Sequence, residues 1–157
     1  MSRTTEQALA LFSDNFNCAQ AVLAACGGPL GLPRKTALRV AGPFGAGIGR
    51  MGGTCGAVSG AYMAIGLKYA RTGRGAKEDT AKEKGYALAR EFTARFTQRH
   101  QSTICRELLG CDLSTPEGMQ RAKDQKLFAT ICPNLVRDAV EIVDDLLANA
   151  QTPNTRA

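Results

Sequence analysis

Six cysteines give this chain its clearest chemical potential, because thiolates bind metals, attack disulfides and react with oxidants. Four of them stand where the local sequence predicts the first turn of a helix, after polar or glycine-containing turns or before a proline: Cys18, Cys55, Cys105 and Cys132. A helix N-terminus carries partial positive charge and free N–H groups, which favour a thiolate and lower its pKa. We therefore expect these four thiols to form a soft-metal, iron–sulfur or thiol-redox centre, provided that the fold brings them together.

The spacing of the cysteines excludes several familiar sites. There is no Cys-x-x-Cys pair, which argues against a thioredoxin-type dithiol, a zinc ribbon and a bacterial ferredoxin run. Without a Cys-x-x-Cys-His motif no covalently attached haem is expected. Cys26 lies two turns beyond Cys18, about 12 Å along the same predicted helix, and is interpreted as a core residue. Cys111 follows the Gly110 turn and is a candidate extra thiol, while His100 is interpreted as a partly buried structural residue.

Residues 42–60 form the most unusual segment, since eight of these nineteen residues are glycine. Residues 47–52 fit the Gly-x-Gly-x-x-Gly dinucleotide pattern, but neither a preceding strand nor a following acidic residue is predicted, so nucleotide binding is not expected. We expect Gly53, Gly56 and Gly60 to let the backbone approach a cofactor closely. The alternative is a tight turn followed by a seam of small residues that packs against another helix.

Helical periodicity dominates the chain and predicts an all-α fold. The segments with this pattern are 4–12, 17–26, 34–41, 54–71, 76–100, 103–109, 116–130 and 133–149. The prediction is a single compact bundle of about six to eight helices over residues 1–150, with a glycine-rich loop before the helix that contains Cys55. Residues 151–157 are predicted to be a flexible C-terminal tail.

Composition limits the partners and the compartment. The formal charge is +6, but ten basic residues between Lys68 and Arg106 alternate with acidic ones, which is typical of a solvated helix face and not of a nucleic-acid-binding stripe. No apolar run is long enough to span a membrane, and the first residues carry no recognisable targeting signal. These features predict a cytoplasmic protein, in which cysteines are more often ligands or redox groups than structural bridges. The sequence leaves open whether it forms a homodimer.

Four sequence blocks resemble the redox-active C_GCAxxG_C_C protein family, which is named for four cysteines and a Cys-Gly-Ala-x-x-Gly motif. The blocks are 16–22 (Phe-Asn-Cys-Ala-Gln-Ala-Val), 52–61 around Cys55, 105–110 around Cys105, and the late Cys132. The resemblance covers about residues 4–147 and implies a small helical domain that binds a metal or cluster. It also implies that Cys18, Cys55, Cys105 and Cys132 are the family cysteines, and that Cys26 and Cys111 lie outside the pattern.

Three functions remain open from the sequence. The first is a redox or electron-transfer protein with an iron–sulfur cluster or soft metal on the four family cysteines, acting with a partner oxidoreductase. The second is a metal-free thiol–disulfide oxidoreductase that cycles two of the four, with Cys111 as a resolving thiol. The third is a structural Cys₄ zinc module that binds a partner. No acid–base pair stands out, so the sequence identifies no reaction.

Overall fold

The structure, a computed structural model, describes residues 1–150 as a compact set of packed α-helices. In chain order the helices are α1 Arg3–Ser13, α2 Cys18–Gly27, α3 Arg34–Ala41, α4 Gly56–Lys68, α5 Ala76–His100, α6 Cys105–Leu109, α7 Pro116–Asp124, α8 Leu127–Thr130 and α9 Cys132–Asn149. Short 3-10 turns at Gly28–Leu30 and Gly42–Phe44 follow α2 and α3. Over the described residues there is no strand, so the all-α prediction is confirmed. The tail predicted at 151–157 lies outside these residues.

Helices α2 and α4 pack closely at the centre of the core, and glycine makes this approach feasible. A methyl group placed on Gly60 of α4 would lie 2.8 Å from the carbonyl oxygen of Ala19 and 3.0 Å from Cβ of Val22, both on α2. These distances are too short for a carbon atom, so a side chain at position 60 would push the two helices apart. The seam of small residues expected after the glycine-rich segment is therefore present, and Gly60 forms part of it.

Substituting alanine at two glycines of α4 is expected to change stability in opposite directions. Gly60→Ala should lower the free energy of unfolding by about 1–3 kcal/mol, because the methyl group overpacks the α2–α4 contact. Gly66→Ala should raise it by about 0.5–1 kcal/mol, because the space around Gly66 is open and alanine favours the helix. Urea denaturation followed by circular dichroism checks both values. Equal effects of the two substitutions would show that close packing at Gly60 contributes little.

An apolar stripe on α5 packs against α9 and α4, as its four-residue spacing predicts. Phe92 and Phe96 are completely buried, with ring centroids 5.7 Å apart. His100 extends the stripe, since its ring centroid lies 4.7 Å from that of Phe96. Its Nε2 atom is 2.9 Å from Oδ2 of Asp138 on α9, although the angle is not that of a hydrogen bond. His100 is thus a partly buried residue of the α5–α9 interface, as the sequence indicated.

The prediction of one helix over 116–130 is wrong. Lys126 adopts a left-handed conformation, with φ of 55°, and separates α7 from α8. Residues 123–126 contain neither glycine nor proline, so nothing local indicates a break. The break turns the short α8 so that Leu127 is buried in a cluster with Cys105 and Cys132, which shows tertiary packing overriding helix propensity. Among the helices of residues 1–150, none is both long and apolar enough to cross a membrane.

Candidate functional site

The first site cysteine, Cys18, opens helix α2, and the polar residues on either side of it fix that helix start. The side chain of Asn17 accepts a hydrogen bond from the backbone N–H of Gln20, and the side chain of Gln20 accepts one from the N–H of Asn17, each at 3.0 Å. This reciprocal pair is a capping box. The amide of Asn17 also donates to the carbonyl of Gly42, and that of Gln20 to the carbonyl of Leu38. The start of α2 is therefore tied to α3 and to the glycine-rich segment.

Cys55 and Cys105 are held next to each other by an isolated antiparallel bridge between Thr54 and Ile104. The N–H of Cys55 donates to the carbonyl of Thr103 at 2.8 Å, and the N–H of Cys105 donates to the carbonyl of Gly53 at 2.7 Å. Each cysteine then stands at the start of a helix, Cys55 as the capping residue of α4 and Cys105 as the first residue of α6. Two helix N-termini that are fifty residues apart in the sequence are thus locked together by backbone hydrogen bonds.

The glycine-rich segment contains a left-handed turn that supports this bridge. Residues 46–50 all have positive φ, between 55° and 67°, although three of them are not glycine. The carbonyl of Gly47 accepts a hydrogen bond from the N–H of Gly53 at 2.8 Å. A methyl group on Gly47 would lie 2.6 Å from that nitrogen and 2.7 Å from Cβ of Cys105. The backbone of Gly47 therefore lies directly against Gly53 and Cys105, the two residues joined by the hydrogen bond beside the bridge.

Cys132 opens α9, the longest helix in contact with the site, and faces Cys18. The thiol of Cys18 donates a hydrogen bond to the sulfur of Cys132. This contact joins the N-termini of α2 and α9 at the level of the sulfur atoms. The fold therefore presents the four predicted cysteines as two pairs, one joined through the backbone and the other through the side chains.

Both pairs line the same pocket, which has a volume of about 780 Å³. The four cysteines, Gly47, Gly56 and Arg50 line this pocket. Aromatic and aliphatic side chains from α1, α6, α8 and α9 complete its wall. Helix starts from four distant parts of the sequence thus converge on one cavity. This is the convergence on which the sequence-based prediction depended.

The expectation that every helix N-terminus lowers the pKa of its cysteine is wrong for three of the four. Burial raises the pKa of Cys55 to about 11, although the N–H groups of Ala57 and Val58 partly offset this. Burial likewise raises the pKa of Cys105 to about 12. The hydrogen bond to Cys132, together with burial, raises the pKa of Cys18 well above its ordinary value. Desolvation of the charged thiolate therefore outweighs the helix end at Cys55 and Cys105, whereas at Cys18 the contact with Cys132 is the main cause.

Cys132 is the exception, and its pKa is lowered. The main cause is the hydrogen bond from the Cys18 thiol, which stabilises the Cys132 thiolate, and a backbone N–H adds to it. When one of the two thiols ionises, the charge therefore falls on Cys132 and the remaining proton stays on Cys18. Of the two, Cys132 is the sulfur that more readily becomes a nucleophilic thiolate.

Alkylation of reduced, metal-free protein with iodoacetamide is expected to reach Cys132 at lower pH than Cys55 or Cys105. Only the thiolate reacts, and its fraction rises as the pH passes through the pKa, which is below 9.0 for Cys132 and about 11 and 12 for the other two. Cys18→Ala removes the hydrogen-bond donor and should move the Cys132 midpoint upward. Peptide mapping by mass spectrometry gives the midpoint for each cysteine. A single midpoint shared by all of them would contradict the assignment.

The arrangement does not match a site for a single metal ion. Within residues 1–150, no group of three or more histidine, cysteine, aspartate or glutamate side chains is placed to hold one ion. A tetrahedral zinc ion lies about 2.3 Å from each sulfur, so its sulfurs must be about 3.8 Å from one another. The four cysteines line one pocket, but no three of them meet that spacing in the described part of the chain.

The remaining predicted site residues are placed as follows. Cys26 is buried in the main core on α2, and burial raises its pKa. Cys111 is buried in a smaller cluster with Cys105 and Cys132, close enough to Cys105 to affect its pKa. Of the three glycines expected to approach a cofactor, Gly56 lines the pocket, Gly53 belongs to the backbone bridge and Gly60 packs against α2. Their contact with a cofactor stays a prediction.

Sequence reasoning missed two features that position the cysteines. The Asn17 and Gln20 side chains have the three-residue spacing of a capping box, and that spacing was a usable signal. The bridge between Thr54 and Ile104 had no such signal, because one residue pair is too short to show the alternation of a strand. Both features act by fixing where a helix starts, and so where its cysteine lies.

Comparison with known proteins identifies one similarity. Residues 16–146 match the family model described as "Putative redox-active protein (C_GCAxxG_C_C)". No curated protein and no solved structure matches the chain. The matched region begins just before Cys18 and ends after Cys132, so all four cysteines of the pocket fall inside it.

Proposed function

The chain belongs to the redox-active C_GCAxxG_C_C family, and from this premise we propose that it is an electron-transfer or redox-sensing protein whose four pocket cysteines bind an iron–sulfur cluster. The observation that carries the proposal is the convergence of Cys18, Cys55, Cys105 and Cys132, from four helix N-termini, on one pocket. Four cysteine sulfurs are the usual donor set of such clusters. When bound, the cluster would supply one-electron chemistry.

Burial of the thiols also favours a bound metal group. Cys55 and Cys105 have raised pKa values because burial disfavours the thiolate, so at neutral pH both remain protonated unless a cation replaces the proton. A metal centre provides that cation, since coordination deprotonates a thiol outright.

The chain around the cysteines would hold and tune such a centre. The backbone N–H groups of Ala57 and Val58, in the first turn of α4, lower the pKa of Cys55 and so favour charge on its sulfur. N–H groups beside a ligand sulfur shift the reduction potential of a metal centre. The backbone hydrogen bonds on either side of the Thr54–Ile104 bridge keep Cys55 and Cys105 at a fixed separation. The helix starts would thus position the ligands and stabilise their charge, and electron transfer at such a centre needs no catalytic acid or base.

We also propose the setting in which this centre works. Free cysteines and an iron–sulfur centre suit a reducing compartment, which agrees with the cytoplasmic location expected from the sequence. Arg50, the last residue of the left-handed turn 46–50, lines the pocket and is exposed, so we place the approach of a partner oxidoreductase on that side. Electron exchange with such a partner is the activity that we assign to the centre.

The deciding experiment is analysis of iron and acid-labile sulfide in protein that has been purified without oxygen, together with its absorption spectrum. The proposal requires iron and sulfide in comparable amounts and visible charge-transfer absorption that bleaches on reduction. Colourless protein that contains zinc would replace it with the structural Cys₄ module, whose domain should unfold when the zinc is removed. Colourless, metal-free protein with six titratable thiols would exclude both metal sites and favour the thiol–disulfide oxidoreductase.

A metal-free dithiol is the second candidate, and a specific contact favours it. The Cys18 thiol donates to the Cys132 sulfur, whose pKa is lowered, so a nucleophile and a neighbouring thiol are already in contact. Mild oxidation with glutathione disulfide should then remove two titratable thiols and form a Cys18–Cys132 bridge that peptide mapping identifies. If the same oxidation leaves all six thiols titratable in metal-free protein, this candidate is excluded.

A further inference from the structure

We infer that the pocket beside the four cysteines binds a small organic anion with a flat apolar body, which Arg50 anchors through its negative group. This goes beyond the proposed electron-transfer function, because it assigns a ligand class to the part of the cavity that the cysteines do not occupy. The inference rests on the size of the pocket, on its aromatic wall, and on its charge.

The size and wall of the pocket suit a small molecule. Its volume of about 780 Å³ is within the range of roughly 300–1,000 Å³ in which ligand sites fall. Three phenylalanines, Phe12, Phe16 and Phe128, line it and are only half-buried. None of the three stacks on another ring within the described part of the chain, whereas Phe92 and Phe96 in the core do. Phe16 instead faces the Arg34 guanidinium, 5.9 Å from its ring centroid. Among residues 1–150, the pocket rings that have neither a ring nor a cation as partner are therefore Phe12 and Phe128.

The charge of the wall selects a negative ligand. Among residues 1–150, Arg50 is the one charged side chain that lines the pocket, and it forms no ion pair there. Outside the wall, the Arg34 guanidinium lies over the ring of Phe16, which adds positive charge, whereas Arg106 and Asp112 lie together by Gly52. An arginine fork binds a carboxylate through two parallel hydrogen bonds, which is stronger than binding a neutral group.

The backbone places Arg50 at the pocket at an energetic cost. It is the last of five successive residues with positive φ, a conformation that disfavours alanine, isoleucine and arginine alike. The turn is held by hydrogen bonds from the N–H of Gly49 to the carbonyl of Pro43 and from Gly53 to Gly47, each at 2.8 Å. Strain that the surrounding structure maintains in this way is common at ligand sites.

Binding of 2-naphthoate and of its neutral counterpart 2-naphthalenemethanol tests the inference. Each compound is titrated into the full chain, which is ¹⁵N-labelled, reduced and metal-free, and binding is followed by amide chemical shifts. The same titration is then repeated with the protein as isolated. The acid should shift residues around Arg50 and Phe128 and bind about fivefold more tightly than the alcohol. Arg50→Gln should remove that preference. Arg90→Gln on the exposed face of α5, far from the wall, should preserve it.

Three results would overturn the inference: no shifts at the pocket with either compound, equal affinity for the two compounds, or an unchanged preference in Arg50→Gln. Phe128→Leu provides a second measure. It should weaken the binding of both compounds without changing the ratio of their two affinities. Because the titration uses protein without metal, its failure is distinct from a failure to find iron and sulfide. A protein without a cluster can still bind the anion, and a protein with a cluster can still lack the anion site.

Discussion

Replacing any one of Cys18, Cys55, Cys105 or Cys132 with alanine is expected to abolish binding of the proposed iron–sulfur cluster. Each replacement removes one sulfur that lines the shared pocket. Changes to groups that merely support a ligand already weaken metal binding by about 10–100-fold. Loss of the ligand itself should therefore reduce binding by more than about 100-fold. Iron and acid-labile sulfide per chain, measured after anaerobic purification, give the result, and circular dichroism shows that the variants compared are folded.

Two cysteines of the same chain provide the matched controls. Cys26 is buried on α2 outside the pocket, and Cys26→Ala should leave the iron content unchanged. Cys111 lies near Cys105 but does not line the pocket, so Cys111→Ala should also retain the iron. The dithiol alternative gives a different pattern, in which only Cys18 and Cys132 matter for activity. Equal tolerance of alanine at all six positions would show that the four cysteines share no centre.

The helices could be predicted from the sequence because their information is local. The stripe of Phe92 and Phe96 repeats at the helical period, and the structure buries both rings completely. Polar turns and prolines indicated where α2, α4, α6 and α9 begin, and the four cysteines indeed stand at those starts. Local signals failed at Lys126, where packing of Leu127 forces a break that the residues themselves do not favour.

The chemical state of the cysteines could not be predicted in the same way, because it depends on the surroundings of each sulfur. Position at a helix start suggested four thiols with lowered pKa values, yet burial reverses the direction at Cys55 and Cys105. Only contact between α2 and α9 reveals that Cys18 donates to Cys132 and lowers its pKa. The burial and the contacts of each sulfur depend on residues that are distant in the sequence, whereas a helix start depends on a few neighbouring residues.

The left-handed turn of residues 46–50 was also beyond sequence reasoning. Glycine at 47 and 49 made an unusual conformation feasible, but alanine, isoleucine and arginine at the alternating positions argue against five successive positive φ angles. The turn forms because its backbone hydrogen bonds reach across to residues 43–45 and 52–53. The turn affects the site mainly through Gly47, whose backbone lies against Gly53 and Cys105.

Gly47→Ala is expected to lower the free energy of unfolding by about 2–5 kcal/mol and to disturb the site at Cys105. Part of this cost, about 1–2 kcal/mol, arises because alanine disfavours positive φ. The rest arises because the methyl group would lie 2.6 Å from the nitrogen of Gly53 and 2.7 Å from Cβ of Cys105. Gly53 is also the residue whose carbonyl accepts from the N–H of Cys105. The clash therefore falls on the hydrogen bond that positions this sulfur.

Gly49→Ala separates the two costs, because Gly49 has the same left-handed conformation, with φ of 55°, but nothing lies near its missing side chain. We expect it to destabilise by only about 1–2 kcal/mol and to retain full iron loading. Urea denaturation of both variants, with iron per chain measured in parallel, gives the comparison. Equal loss of stability and equal loading would mean that the turn matters only through its backbone angles. A loss of iron confined to Gly47→Ala would instead show that the close approach at Gly47 keeps Cys105 in the position that the centre requires.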